Sequence, residues 1–271
     1  MRQDLPNISY YFFEMNWIDA HCHLSDPRLN QTLAKVITES LQKNITQWIQ
    51  GGIDPADWSR QLKLKEDFPG ILPVFGLHPW RVVTLTRESC ETSLKTLEEY
   101  IDRYRPIALG ELGVDLHPKH AGSETKDLQR YVFASQLQLA QKSKLPIVIH
   151  CVSAHDLVLE ELGGFYPHGG LVHSFSGSYE VAKKYLDRNI CFSLCGSALR
   201  SKLLWLGEIP KELWVVETDA PDQTPHTLPK GSLNHPQNLI EIAAGIGATI
   251  GVSSEDILDQ STKNLKRIFS L

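Results

Sequence analysis

Six side chains of this sequence are of the types that hold a divalent metal, and each closes a short β-rich run. His21 and His23 follow WIDA, Glu111 follows IALG, His150 follows PIVI, His173 follows GLV, and Asp219 ends LWVVETD. Residues i and i+2 of a strand point to one face, so His21 and His23 converge while Cys22 turns away. A lone His-x-His pair carries little weight, but several separate run ends that all supply imidazole or carboxylate point to a shared centre. These ligands suit a hydrolytic zinc, magnesium, manganese or nickel site, and their number exceeds the needs of one open tetrahedral ion. Two divalent ions are therefore expected, bridged by the two oxygens of Glu111. Water on such a pair has its pKa lowered toward ~7, and Asp219 is the residue expected to orient it and accept its proton, with Glu217 bracing Asp219 or a histidine from behind. Two ions bring about +4, whereas two carboxylates and a hydroxide return about −3, so the centre would welcome an anionic phosphodiester.

The runs that carry these residues imply the fold. Eight of them, over 17–19, 46–49, 71–75, 107–109, 147–149, 171–172, 190–194 and 213–216, alternate with helical periodicity, the pattern of repeated βα units around a parallel sheet. ILPVF, PIVI and LWVV are almost wholly apolar, as strands covered on both faces are. The clearest helix spans Lys126 to Lys142, where Leu128, Tyr131, Val132, Leu137, Leu139 and Ala140 form a stripe. A chain of 271 residues suits a single TIM-type (β/α)8 barrel, whose chemistry sits at the C-terminal ends of the strands. The barrel domain is expected over 15–271, with 1–14 an extension that folding does not need. Residues 221–236, rich in Pro, Gly, Thr and Asn, read as a long functional loop. Two closing helices are expected over 236–246 and 254–269, the second broken near Ser261.

Composition narrows the function. A net charge of −5 argues against a broad basic surface for gripping duplex nucleic acid, so a nucleic-acid substrate would be caught locally. The five cysteines, Cys22, Cys90, Cys151, Cys191 and Cys195, are odd in number and irregular in spacing, which reads as reduced thiols. Cys191 and Cys195 lie in the strand-like ICFSLCG and are assigned to the core. The start lacks the apolar core of a secretory signal, and no run approaches the ~20 apolar residues of a membrane span. A soluble cytoplasmic protein with no membrane attachment and no obligate protein partner is expected. The tryptophans are assigned to packing, except that Trp80 could form one wall of the cleft.

From Trp17 to Phe269 the motifs, in order, resemble those of the TatD family of metal-dependent deoxyribonuclease-like hydrolases. They are IDAHCHL (18–24), GGID (51–54), GLHP (76–79), GELGVDL (110–116), PIVIH (146–150), VHSFSGS (172–178), ETDAPD (217–222) and Asn264 with Ile268-Phe269. The resemblance implies one metal on His21, His23, Glu111 and Asp219 and a second on Glu111, His150 and His173. It also implies that His78 contacts substrate, although a histidine satisfied by loop backbone accounts for it equally well. Asp115 reads either as a partner of a metal ligand or as a turn cap. Two positions depart from the family: Val152 stands where an arginine commonly follows the fifth-strand histidine, and Leu233 where the family commonly begins R-N-x-P. His155 or Lys230 could compensate.

The function implied is a deoxyribonuclease or phosphodiesterase acting on single-stranded DNA or RNA ends through a metal-activated water. An amidohydrolase or esterase using the same centre is the first alternative, because a fold does not fix the scissile bond. A non-catalytic metal-dependent binding protein is the second. Turnover of oligonucleotides, of small amides and lactones, or of neither separates the three.

Overall fold

The computed structural model describes residues 16–119, 125–200, 204–229 and 231–271. β1 (Trp17–Cys22) pairs with β2 (Ile45–Gln50), and β2 pairs with the first half of β3 (Ile71–Leu72), all parallel. Pro73 has no N–H to give to a ladder, and the hydrogen-bonded sheet is interrupted there. The second half of β3 (Val74–Phe75) resumes the series with β4 (Ala108–Asp115), β5 (Ile147–Val152), β6 (Gly170–Val172), β7 (Ile190–Leu194) and β8 (Trp214–Val216), each parallel to the last. The ring is completed where Asp219 N donates to His21 O at 2.9 Å and His23 N donates to Ala220 O at 2.6 Å. This is the TIM-type barrel expected, with every anticipated run present as a strand.

Three strands run three or more residues past their expected ends. β1 continues to Cys22 and β5 to Val152, so His21 and His150 lie inside them, and β4 continues to Asp115 through an irregularity between Gly110 and Leu112. Gly113, beyond the expected end at 109, sits within the strand at φ 144°, and a Cβ there would lie 2.0 Å from His150 O. Glycine is what lets β4 pass β5 closely at the very place where both carry site residues.

The outer layer comprises α1 (Leu33–Leu41), α2 (Pro55–Asp67), the single turn α3 (Pro79–Val82), α4 (Arg87–Tyr104), α5 (Lys126–Ser143), α6 (His155–Leu162) and α7 (Tyr179–Leu186). Their starts are chemically marked: Asp54, Thr86 and Ser178 accept the backbone N–H of Asp57, Ser89 and Val181, which satisfies donors the helix leaves open. α8 (Leu239–Ile250) and α9 (Ser254–Phe269) close the chain. α8 runs past the expected end at 246 to a left-handed Gly251, because Gly245 and Gly247 are helical rather than stops. The break expected near Ser261 is absent: α9 is continuous, and the Ser261 hydroxyl accepts Val216 N at 3.0 Å, tying the helix to β8.

Inside the barrel, Ile18, Ala20, Ile49, Val74, Ala108, Val148, Leu171 and Val215 pack together with Leu265, Ile268 and Phe269 of α9. This apolar filling, stacked as barrel interiors are, leaves the polar residues to gather at the strand ends. The cysteines are buried and free. The 1–14 extension lies outside the described residues. Among the described residues no helix is long and apolar enough to cross a membrane.

Candidate metal centre

The strand ends bring the six anticipated side chains together. His21 Nε2 lies 3.6 Å from Glu111 Oε1 and 3.8 Å from Asp219 Oδ1, and His23 Nε2 lies 3.3 Å and 3.6 Å from the same two oxygens. Ligands held ~2.0–2.1 Å from a tetrahedral ion stand roughly 3.4 Å apart, so this set is close to the spacing one ion needs. On the other oxygen, His173 Nε2 is 2.6 Å and His150 Nδ1 3.4 Å from Glu111 Oε2, and the two nitrogens are 2.9 Å apart. The groups overlap. His21, His173 and Asp219 also fall within mutual ligating reach, as do His78, Glu111 and His150, so His78 joins the cluster it was expected only to flank.

The residues fit a cation on two counts. His21 Nε2 and both oxygens of Glu111 are buried without a hydrogen-bond partner, a costly condition that metal coordination would relieve. The floor is also shaped for close approach: a Cβ on Gly51, of GGID, would lie 2.3 Å from His23 Cε1 and 2.7 Å from Glu111 Oε1. Gly51 is a contributor that its motif signalled only as a conformational glycine.

The electrostatics agree. Burial pushes the Glu111 carboxyl up, but His78, His173, His21 and His23 around it hold it well below the usual carboxylate range. Asp219 is likewise lowered against its burial, by the His23 hydrogen bond and neighbouring imidazoles. Burial opposes a proton on His23, yet Glu111 and Asp219 outweigh it and push that imidazole up to about 9. Two carboxylates therefore hold protons on histidines that a metal would displace.

A supporting layer fixes the ligands. Asp115 realises both of its expected roles: Oδ1 accepts His117 N at 2.8 Å in a turn, while Oδ2 receives Trp80 Nε1 at 2.6 Å and stands 3.0 Å from His150 Nε2. Glu217 accepts Ser174 N at 2.6 Å and the Ser193 hydroxyl, and its Oε1 stands 3.8 Å from His173 Nδ1. It thus approaches a histidine rather than Asp219. His78 is 2% exposed. Its Nδ1 accepts Trp80 N at 3.0 Å, capping α3, and its Nε2 faces Glu111 Oε2 at 3.4 Å.

Two further residues escaped the sequence reading. Asp19 accepts the N–H and hydroxyl of Thr218; its signal was its place two residues before His21 on the same strand face. Asn234 staples the long loop, its Nδ2 donating to Thr218 O at 2.7 Å and its Oδ1 accepting His235 N at 2.9 Å. Of the two compensating residues only His155 is described. His155 Nδ1 is 3.2 Å from Cys151 Sγ and 3.0 Å from Tyr185 OH, which ties it to the α6–α7 packing, and Lys230 lies outside the described residues. Leu233 packs on the core. Arg28, on the loop after β1, forks onto Asp222 at 2.9 and 2.7 Å and also contacts Asp26.

A family model described as TatD related DNase matches residues 18–270. The chain is similar to the uncharacterized metal-dependent hydrolase YabD of Bacillus subtilis (strain 168), 30% identical over 260 residues that cover 93% of this chain and 98% of that one. It is 29% identical over 262 residues to deoxyribonuclease TATDN3 of Homo sapiens, covering 93% and 94%. Among solved structures, the TatD homolog YjjV of Escherichia coli K12 superposes with a TM-score of 0.84 at 24% identity, over 94% of this chain and 98% of that one.

Proposed function

Because the chain belongs to the TatD-related DNase family, and is by that membership a metal-dependent hydrolase, we propose that it cleaves phosphodiester bonds of single-stranded DNA or RNA at strand ends. The observation that carries this reading is the convergence of His21, His23, His150 and His173 on the two oxygens of Glu111, with Asp219 Oδ1 facing His21 and His23. In the proposed assignment His21, His23, Glu111 and Asp219 hold one divalent ion, and Glu111, His150 and His173 hold the other. Zinc, magnesium, manganese and nickel all accept such ligands. When bound, the ions supply Lewis acidity and a water acidic enough to ionise near neutral pH.

The rest falls to the chain's own residues. Asp219 is oriented by its backbone N–H on His21 O, and its depressed pKa keeps it an acceptor for the proton of the attacking water. Asp115 and Glu217 orient His150 and His173 from behind. His78 is assigned to the substrate side through Nε2, its Nδ1 being committed to Trp80 N.

Strand ends are favoured because five of the six proposed ligands, His23 excepted, lie at or near full burial, so a phosphodiester must reach into the mouth, which a free end does more readily than a duplex. The net charge of −5 agrees, since duplex binding needs many phosphate-neutralising cations. The buried free thiols fit a reducing, cytoplasmic setting. Residues 15–271 serve as the one hydrolase domain.

The test is hydrolysis of end-labelled single-stranded DNA and RNA beside small amides and lactones, by metal-loaded protein and its Asp219→Asn variant. Oligonucleotide shortening that Asp219→Asn lowers by about 10²-fold or more is expected. Turnover of amides or lactones alone would replace this reading.

A further inference from the structure

Trp80 is an exception among the tryptophans. The other five are buried or packed against the core, whereas Trp80 is 42% exposed although it sits at the first turn after β3, beside the cluster. Its ring centroid is 4.9 Å from that of His78 and 5.8 Å from that of His150. Its indole N–H is held by Asp115 Oδ2 at 2.6 Å, the same oxygen that meets His150 Nε2, and its backbone N–H is held by His78 Nδ1. An aromatic ring anchored at its polar atom and at its backbone, and still presenting surface to solvent, has already lost the rotamer freedom that binding would otherwise cost.

We propose that the exposed part of the Trp80 indole is a stacking platform for the nucleobase next to the phosphodiester to be cut. The inference rests on the phosphodiesterase reading and deepens it. Three considerations select a base as occupant. The platform adjoins His150 and His78, within reach of a nucleotide whose phosphate enters the cluster. The ring is large and flat, and every base offers a π-face to it, which suits a site that must accept any sequence. Val152 and Leu233 are apolar and His155 is tied to Cys151 and Tyr185, so at these positions binding has no ionic contact to rely on. A salt-insensitive share of the affinity follows, because stacking releases no counterions.

The experiment compares wild-type protein with Trp80→Ala and Trp80→Phe, using a single-stranded oligonucleotide and one of equal length and charge that is abasic near its ends. Binding is read by the quenching of tryptophan fluorescence and by fluorescence anisotropy of the labelled strand, and turnover by kcat and KM. Stacking predicts that Trp80→Ala raises Kd and KM about fivefold or more for the base-bearing strand and leaves the abasic strand, already weak, little affected. Trp80→Phe, which keeps a planar ring, recovers most of that loss. Circular dichroism shows whether each variant is folded, and the quenching of wild-type protein by the two strands needs no variant at all. Equal quenching and equal affinity for base-bearing and abasic strands would overturn the platform. Failure of the phosphodiesterase reading looks different: base-dependent binding and quenching without cleavage of either strand.

Discussion

Asp19 receives the backbone N–H of Thr218 at 2.9 Å and its hydroxyl at 2.5 Å, across 199 residues of sequence. The contact latches the last strand's exit to the first strand, two residues before His21 and one before Asp219. Asp19 is fully buried, and that burial, only partly offset by Thr218, pushes its carboxyl up to about 8. Asp19→Ala would strand both donors of Thr218, and unsatisfied buried groups cost about 1–3 kcal/mol each. We predict a lowered Tm and, because His21 and Asp219 lose their shared support, metal affinity weakened by roughly 10–100-fold. Calorimetry and metal titration check this. Wild-type affinity in a destabilised variant would make Asp19 a fold residue alone.

Glu111 is the single residue shared by both proposed ions, and it is the group whose loss should be felt twice. Glu111→Gln keeps the size of the side chain but replaces a charged oxygen by an amide that is a poorer ligand for a hard cation. The variant should retain less than one ion per chain where wild-type protein is expected to hold two, and elemental analysis after gel filtration reads the number. Retention of two ions would show that the histidines and Asp219 suffice, and the bridging role would be withdrawn.

Protonation gives the centre a pH signature opposite in its metal-free and metal-bound forms. Folded His23 binds its proton more tightly than an ordinary histidine, at about 9 against 6.5. Its pairing with Glu111 and Asp219 therefore stabilises the metal-free fold fully below about pH 6.5, and that contribution is lost as pH rises through about 9. Metal needs the unprotonated imidazole, so its affinity should increase over the same window. In chelator we expect Tm to fall between pH 6.5 and 9, and with metal added the decline should disappear. A metal-free Tm that rises across this range would contradict the assigned charge on His23.

How much of this could be read in the sequence depends on the range of the interaction. The six side chains that meet at the candidate centre were legible because parallel strands impose one rule on all of them: chemistry sits where an apolar run stops. His21, Glu111 and His173 each obey it locally. The supports were legible only in part: Glu217 and Asp115 could be named, but their partners Ser174 and His150, and the whole contact of Asp19 with Thr218, are joined only by barrel closure and strand neighbours. The break expected near Ser261 and the strand end expected before Gly113 failed for a related reason. Each of the two residues is weak for its own element, and each is retained for a tertiary contact, with Val216 N and with the backbone of His150, which overrides local propensity.

Gly51 offers the most discriminating test of the site's geometry, because one methyl group should do what removing a ligand does. A Cβ at this position would fall 2.3 Å from His23 Cε1, 2.7 Å from His21 Cε1 and 2.7 Å from Glu111 Oε1, far inside contact distance for carbon. Both imidazoles and the carboxylate would have to shift, and ligands displaced by even about 0.5 Å lose productive geometry. Gly51→Ala should therefore lose bound metal and activity together while every ligand residue remains in place. Gly164→Ala is the control, since a Cβ there meets nothing within 4 Å, and it should behave as wild type. Metal content in Gly51→Ala equal to that of Gly164→Ala would mean that the floor beneath His23 yields, and that close packing on Gly51 does not shape the centre.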